Sequence, residues 1–494
     1  VAVSIPELPL LSLSDGELAL VQSLRQDLLA ERWRLELLDA YFNGEQMVRD
    51  LGISIPPQLK GLHTVIGWPR IGVESLEARL DLEAFRWVDG SDSADLEEIA
   101  EVNDLFDEAS LAHTDALTYG REYIAVGSGE CGVGGDCPPV ITAESPLDMT
   151  VEWDARLRVV TSALRECTVD RLDAGRSDEP MTVLYLPDQT VYVVPSPSGD
   201  WEVVDRDIHN LGVVPVVRMA NRQRTADRVG KSEITPEVMS ITDAACRRLM
   251  GMEVAAEFFG APARYILGAS ESAFQDAEGN AKSAWETYIG RVLALERDEN
   301  GEIPQVGQFS AHDPTGMTKI IDMYARIMSS QLSVAPHVLG YSSDNPASAD
   351  AIRYADNSQI KKAERRIRRF DAAWRDVMRL ALWIRDGEPP PRERRIEGVW
   401  RNPATPTLAA QTDAAVKLID AGVLQAESDV ALEMVGLTQG QRRRVAVERQ
   451  RTTTQTQSSQ LLDRLAALGE DDEAPAAEPA EELEAEVPGG EAGL

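Results

Sequence analysis

The chain has 494 residues, 43% of them hydrophobic, and a formal charge of −34 from 49 Lys and Arg against 83 Asp and Glu. That length supports several domains with buried cores. The acidic balance excludes a broad, tight grip on nucleic-acid phosphates, which needs Lys and Arg to displace counterions, although a negative wall can surround DNA and let it slide.

The four cysteines, Cys131, Cys137, Cys167 and Cys246, match no zinc spacing and are too few for a disulfide scaffold. A reducing site of synthesis and incidental thiols are expected. The N-terminal stretch lacks a basic region typical of a signal peptide. No uninterrupted apolar run reaches the ~18 residues of a membrane span, so a soluble protein without a membrane partner is expected.

In chain order, residues 12–42 predict an opening helix. Ser14 or Asp15 caps it, Leu18, Val21, Leu24, Leu28 and Leu29 form its apolar face, and Gly44 follows its end. Residues 68–88 predict another helix, carrying Val73, Leu76, Leu80 and Ala84, and 94–119 a long one. The pattern then switches to short strands at 121–126, 139–143, 149–153, 157–164, 181–186, 190–194, 201–205 and 213–217, separated by turn signals. This part reads as α+β.

A helix is predicted from 236 to 259, with Pro236 in its first turn. A small insertion at 263–313 follows, with strands at 264–267 and 291–295, a helical stretch at 283–288 and a turn at 298–301. Met317, Ile320, Ile321, Tyr324, Ile327, Met328 and Leu332 then place one apolar stripe on a helix that ends near Pro336. After a polar loop at 340–350, a very long helix runs to Asp386. Its seam is Ile360, Ala363, Ile367, Phe370, Trp374, Val377, Ala381 and Ile384. Beyond Pro389-Pro390-Pro391, residues 407–450 read as compact and helical, with breaks at Gly422 and Ser428. The tail from Gly469 holds ten acidic and no basic residues and is expected to be disordered. The fold class is α+β, mainly helical.

Catalytic signals are weak. Gly127-Ser128-Gly129-Glu130-Cys131-Gly132 fits G-x-G-x-x-G, but the chain continues to Pro138-Pro139 where a dinucleotide site needs a helix. A glycine loop is the better reading. The five histidines fall in no metal or triad pattern, and neither a G-x-S-x-G elbow nor a G-x-x-x-x-G-K-[ST] loop occurs. No catalytic residue, metal site or cofactor is assigned. Lys361, Lys362, Arg365, Arg366, Arg368 and Arg369 cluster on the long helix. They read as a solvated face or as contacts to DNA phosphates. Arg247 and Arg248 are a second basic pair with the same two readings.

The order of these elements resembles the portal proteins of tailed double-stranded DNA bacteriophages, in the group of the Bacillus phage SPP1 portal and its actinobacteriophage relatives. The resemblance covers residues 30–450. It is carried by Tyr41-Phe42-Asn43-Gly44, Glu144-Ser145-Pro146 with Val151-Glu152-Trp153-Asp154, and the run from Asn210 to Val217. The most specific stretch is Val334-Ala335-Pro336-His337-Val338-Leu339-Gly340 followed by the run from Asn345 to Arg353. The acidic tail lies outside the common core of that family.

The resemblance implies a portal fold with wing, stem, clip and crown regions. Residues 1–235 would be N-terminal helices and an α+β wing, 236–260 the first stem helix, 261–313 the clip and 314–340 the second stem helix. Residues 341–350 would be a tunnel loop, 351–400 the long wing helix, 401–468 a helical crown and 469–494 the acidic tail. It further implies a non-enzymatic dodecameric ring at the portal vertex of the virion, made in the host cytoplasm, with double-stranded DNA passing through during packaging and ejection. Its partners would be the terminase large subunit, the head-tail adaptor and the major capsid protein. Ser342, Ser343, Asp344, Asn345, Pro346, Ala347 and Ser348 would line the channel, with Arg247, Arg248, Lys361, Lys362, Arg365 and Arg366 as phosphate contacts. The competing readings are a cytosolic α+β enzyme with a helical oligomerisation arm, or another head-tail connector protein.

Overall fold

The computed structural model describes residues 12–46, 64–129, 137–171, 176–195, 201–259, 264–267, 305–308, 315–340 and 349–470. The chain divides into two compact units, residues 1–405 and 406–494.

The first unit opens with α1 (Asp15–Asn43). A capping box starts it: Glu17 N–H donates to Ser14 Oγ at 3.3 Å, and Ser14 N–H donates to Glu17 Oε2 at 2.8 Å. Gly44 ends it with φ +76°. Val21, Leu24 and Leu28 pack on the largest sheet, whereas Leu35, Leu38 and Tyr41 join the main core. One helix thus ties two hydrophobic clusters together. Leu29, expected on the apolar face, is exposed. Arg206 clamps the helix start to the sheet through Glu17 at 2.7 Å and, with the Ser14 hydrogen bonds, holds the Glu17 carboxyl at about 2 against the opposing effect of burial.

The helix expected over 68–88 is instead α2 (Trp68–Glu77) followed by β1 (Leu82–Trp87). Its apolar spacing fits both periods, and pairing decides: β1 runs antiparallel to β12 (Ile396–Trp400), a strand absent from the sequence reading. The long helix expected over 94–119 is broken into α3 (Ala94–Val102) and α4 (Leu105–Tyr119) at Asp104, which turns the chain at φ +44°.

The remaining strands are β2 (Arg121–Ser128), β3 (Pro139–Glu144), β4 (Met149–Asp154), β5 (Val159–Arg171), β6 (Arg176–Tyr185), β7 (Thr190–Pro195), β8 (Trp201–Asp207) and β9 (Val216–Ala220). They form a three-stranded sheet in the order β3-β2-β9 and a five-stranded antiparallel meander β4-β5-β6-β7-β8. The last strand lies at 216–220 rather than 213–217 because its register with β2 is fixed by Arg121 opposite Ala220. Cys137 is disulfide-bonded, against the expectation of incidental thiols, while Cys167 and Cys246 are free.

Two helices follow, α5 (Pro236–Phe259) and α6 (Thr315–Leu332), packed against each other. β10 (Arg264–Leu267) and β11 (Gln305–Gln308) pair antiparallel between them in sequence. β10 was expected; β11 was not. The expected elements at 283–288, 291–295 and 298–301 lie outside the described residues. A short 3-10 turn, Pro336–Leu339, follows α6.

The long helix is α7 (Ala349–Asp386), 38 residues and about 57 Å at ~1.5 Å per residue. Ala363, Phe370, Trp374, Val377 and Ala381 of the predicted seam are buried in the main core. They are covered by α2, β2, β3, β9 and β12 of the same chain. A heptad-like spacing here marks an intramolecular core stripe, not a coiled coil.

In the second unit, α8 (Leu408–Asp420) starts at the Thr407 cap and α9 (Asp429–Met434) at the Ser428 cap. The buried guanidinium of Arg442, on α10 (Gln439–Glu470), reaches Asp429 at 2.9 Å and Glu433 at 3.4 Å and locks α10 to α9.

The sheet–helix junction of the first unit buries two carboxyls, Asp115 and Glu122, that form no ion pair among the described residues. Burial pushes Asp115 up to about 6, offset in part by a Ser145 hydrogen bond and assisted by Asp39. Burial, followed by Asp115, Glu144 and Glu108, raises the carboxyl of Glu122 well above the usual range. A carboxyl raised on folding contributes stability present below its unfolded pKa and lost as pH rises through its folded one. The melting temperature of Glu122→Gln is therefore expected to gain on wild type steadily between pH 5 and pH 8. A difference constant across that range would refute this account. His113, whose effect has the opposite sign, is common to both proteins and cancels.

Candidate functional site

The site is built where α4 ends. Gly120 terminates the helix at φ +94°, and its carbonyl accepts from Asn221 N–H at 2.9 Å. Asn221 in turn accepts from Lys231 N–H at 2.9 Å, and Leu117 accepts from Glu233 N–H at 2.9 Å. Gly230, at φ +117°, makes the approach possible, because a Cβ there would fall 2.1 Å from the Gly120 carbonyl oxygen. The loop between β9 and α5 is thus sewn to α4, and it delivers Glu233 inward.

Arg366 meets it from α7. Its Nη2 donates to Glu233 Oε1 at 2.7 Å, and Asn221 Nδ2 donates to the same oxygen at 3.1 Å. Glu233 is 7% exposed and Arg366 8%. Burial alone would raise the Glu233 carboxyl, but Arg366, Arg222 and Asn221 outweigh it and hold the group below its ordinary value. Arg222, itself at φ +48°, lies 3.9 Å from Glu233 Oε2 and donates to the Ser232 carbonyl at 3.1 Å.

Around this pair opens a cleft of about 610 Å³, lined by Arg222, Lys362, Arg365, Arg366, Arg368 and Arg369. Lys362 Nζ donates to the Leu332 carbonyl at 3.0 Å, capping the end of α6. Burial lowers its pKa, with Glu233 opposing and Arg222 and Arg366 adding to the shift. Arg369 donates to Gln223 Oε1 at 3.0 Å. Arg365 makes no hydrogen bond or ion pair among the described residues. Glu233 is the only carboxylate within ion-pair distance of the six cations among the described residues.

The predicted basic cluster is therefore divided. Lys362, Arg365 and Arg366 come together with Arg368 and Arg369 in the cleft; Lys361 is exposed and does not line it. Arg247 is half-buried and Arg248 exposed on α5, about 16 Å along that helix from its start beside the cleft. Ser342, Ser343, Asp344, Asn345, Pro346, Ala347 and Ser348 lie outside the described residues. Sequence reading missed Arg222 and Glu233, which come from a loop far from α7. It had a signal for Arg366, which sits three residues after Ala363 and four before Phe370 and so shares their buried face.

A second cavity of about 620 Å³ includes Glu144, Arg165, Tyr185, Tyr192 and His209. Glu144 Oε2 and Arg165 Nε stand 2.7 Å apart. Burial raises the Glu144 carboxyl, with Arg165 and Thr142 offsetting part of it. No Ser, Cys or Thr nucleophile is paired with His209 among the described residues. Nor do three or more His, Cys, Asp or Glu side chains converge on a metal position among them.

The family model for "Phage portal protein, SPP1 Gp6-like" matches residues 22–440. The chain belongs to the SPP1-like phage portal protein family. It is 38% identical over 389 residues to the portal protein of Mycobacterium phage D29 and 37% identical over 389 residues to that of Mycobacterium phage L5. Each match covers 78% of this chain and 78% of the relative. Among solved structures, a chain from the virion of a native gene transfer agent particle aligns over 82% of this chain and 93% of its own length, at 16% identity and a TM-score of 0.44. Membership bears out the expected family, its actinobacteriophage branch and the mainly helical α+β class. A portal protein is a structural component of the phage virion at the head vertex, and its general role is passage of DNA into and out of the head.

Proposed function

We propose that this portal protein assembles as a dodecameric ring with a central channel for double-stranded DNA, and that it performs no catalysis itself. ATP hydrolysis then belongs to the terminase large subunit docked on it, in keeping with the lack of a G-x-x-x-x-G-K-[ST] loop in the sequence. The family match over residues 22–440 carries the reading. α5 and α6, packed together, are its stem helices; residues 261–313 form the clip that meets terminase and later the head-tail adaptor. Residues 341–350 line the channel, and α7 spans the wing, with the major capsid protein around it and residues 401–468 as the crown.

The acidic balance of −34 supports a channel that does not hold its DNA. Of the basic candidates, Lys361, Arg365 and Arg248 are exposed, and Arg247 neighbours Arg248 on α5. Arg365 lines the cleft, so Lys361, Arg247 and Arg248 are the phosphate contacts of this reading. Arg366 is already committed to Glu233.

Negative-stain electron microscopy of the purified full chain tests the assembly. Rings with an axial opening are expected. Closed compact oligomers without an opening would overturn the ring reading.

A further inference from the structure

The basic cleft is out of keeping with a chain whose formal charge is −34. Among the described residues, six cations line it and one buried carboxylate offsets them. At its floor Arg366 is nine-tenths buried, yet its Nε has no partner among the described residues. An unpaired guanidinium N–H in that position costs free energy unless an acceptor reaches it. The excess of cations over carboxylates favours an anion in the cleft.

Its shape selects the kind of anion. Duplex DNA presents phosphates as a continuous array, one charge per ~1.7 Å of axis, which suits an extended surface stripe. A recess of about 610 Å³ holds a few side chains and admits only small, separately jointed anions to its exposed cations Arg365, Arg368 and Arg369. Arginine forks match carboxylates in two-point geometry.

The same chain carries the complement. At the α3–α4 turn, Glu98, Glu101, Asp104 and Asp107 are all exposed, and none forms an ion pair among the described residues. Val102 and Phe106, also exposed, sit among them and supply apolar contact. Asp104 holds the turn at φ +44°. This ridge cannot reach the cleft of its own chain. Glu98 and Asp95 lie near Arg385, at the C-terminal end of α7, whereas the cleft cations occupy residues 362–369 of that helix. The separation along α7 is roughly 25–30 Å.

We infer that the cleft seats the α3–α4 ridge of a second copy of this chain. The contact is heterologous: each copy offers a ridge at one end of α7 and a cleft toward the other. Such a contact builds a ring when its rotation closes. The inference rests on the ring reading for its biological setting, but the contact itself can be measured without ring closure. Complementary charges of this kind set register and speed encounter.

The test uses the full chain and two charge reversals at exposed positions. R365E/R369E reverses the cleft and spares the Arg366–Glu233 pair. E101R/D107R reverses the ridge. Association is followed by mass photometry, and folding by melting temperature. Each variant alone is expected to keep its melting temperature and to associate at least about tenfold more weakly than wild type. Mixing the two is expected to restore association, because each reversed surface then meets its complement.

Association unchanged in either variant, or lost in both and not restored by mixing, would overturn the inference. So would unchanged association with weakened duplex-DNA binding in R365E/R369E, which would make the cleft a phosphate site. Wild-type association that the reversals abolish and mixing restores, but without ring closure, would sustain this contact and count against the ring.

Discussion

Replacing Trp374 with alanine is expected to remove about 3–5 kcal/mol of stability, the range for truncating a buried aromatic side chain. Trp374 is 0% exposed, at the middle of α7. Its Nε1–H donates to His113 Nε2 at 2.9 Å. His113 in turn stacks on Phe370 with ring centres 5.1 Å apart and on Trp400 at 5.4 Å. Burial pushes the His113 pKa down to about 3, with the Leu80 backbone offsetting little of it. The imidazole is neutral at pH 7, its Nε2 is an acceptor, and the proton sits on Nδ1.

Truncation therefore has two costs: a cavity between α4, α7 and β12, and an acceptor left without its donor. Trp374→Phe separates them, since it keeps most of the volume and removes only the N–H. Its expected cost is about 1–3 kcal/mol, the penalty of an unsatisfied buried polar group. Denaturant titration of the unassembled chain is the measurement, because association would add stability of its own. Equal losses in the two variants would mean that the hydrogen bond, not the packing, holds this junction. A loss under 1 kcal/mol in W374A would contradict the packing account.

The same residues explain what the sequence could tell. Trp374 and Phe370 were legible as core because a period of three and four residues survives in α7 whatever covers it. What covers it was not legible. β12 carries no local signal, and its partner β1 reads as helix, because Leu80 and Ala84 satisfy a helical period while the pairing that makes the segment a strand comes from more than 300 residues away. The break at Asp104 was hidden for a related reason: the apolar spacing runs on through Leu96, Ile99 and Leu105, and only the backbone at φ +44° reveals the turn. In the cleft, the α7 cations were visible as a cluster. Arg222 and Glu233 were not, because the loop that carries them is positioned by main-chain hydrogen bonds to α4 that no side-chain pattern encodes.

Removing one member of the buried Glu233–Arg366 pair is the second large perturbation. Arg366→Ala leaves Glu233, 7% exposed, with Arg222 at 3.9 Å as its remaining cation. Glu233→Ala leaves the Arg366 guanidinium among Arg222, Lys362 and Arg369 with no carboxylate to offset it among the described residues. Each is expected to cost about 3–5 kcal/mol, the penalty for stranding a buried charge. The alanine variant of Glu233 is the worse of the two, because the stranded group stays in a field of like charge.

Removing both at once, as Glu233→Gln with Arg366→Met, is expected to recover most of that loss. The desolvation of two ions is avoided, Asn221 can still donate to the glutamine oxygen, and the methionine fills the arginine stem. A double variant no more stable than either alanine variant would show that the pair is held by shape rather than charge.

Acid supplies an independent check. Glu233 is depressed on folding, so its contribution is present above its unfolded pKa near 4 and is lost as pH falls through its lower folded value. The double variant should accordingly lose less stability than wild type below about pH 4, where the raised carboxyls Asp115 and Glu122 are already protonated in both proteins.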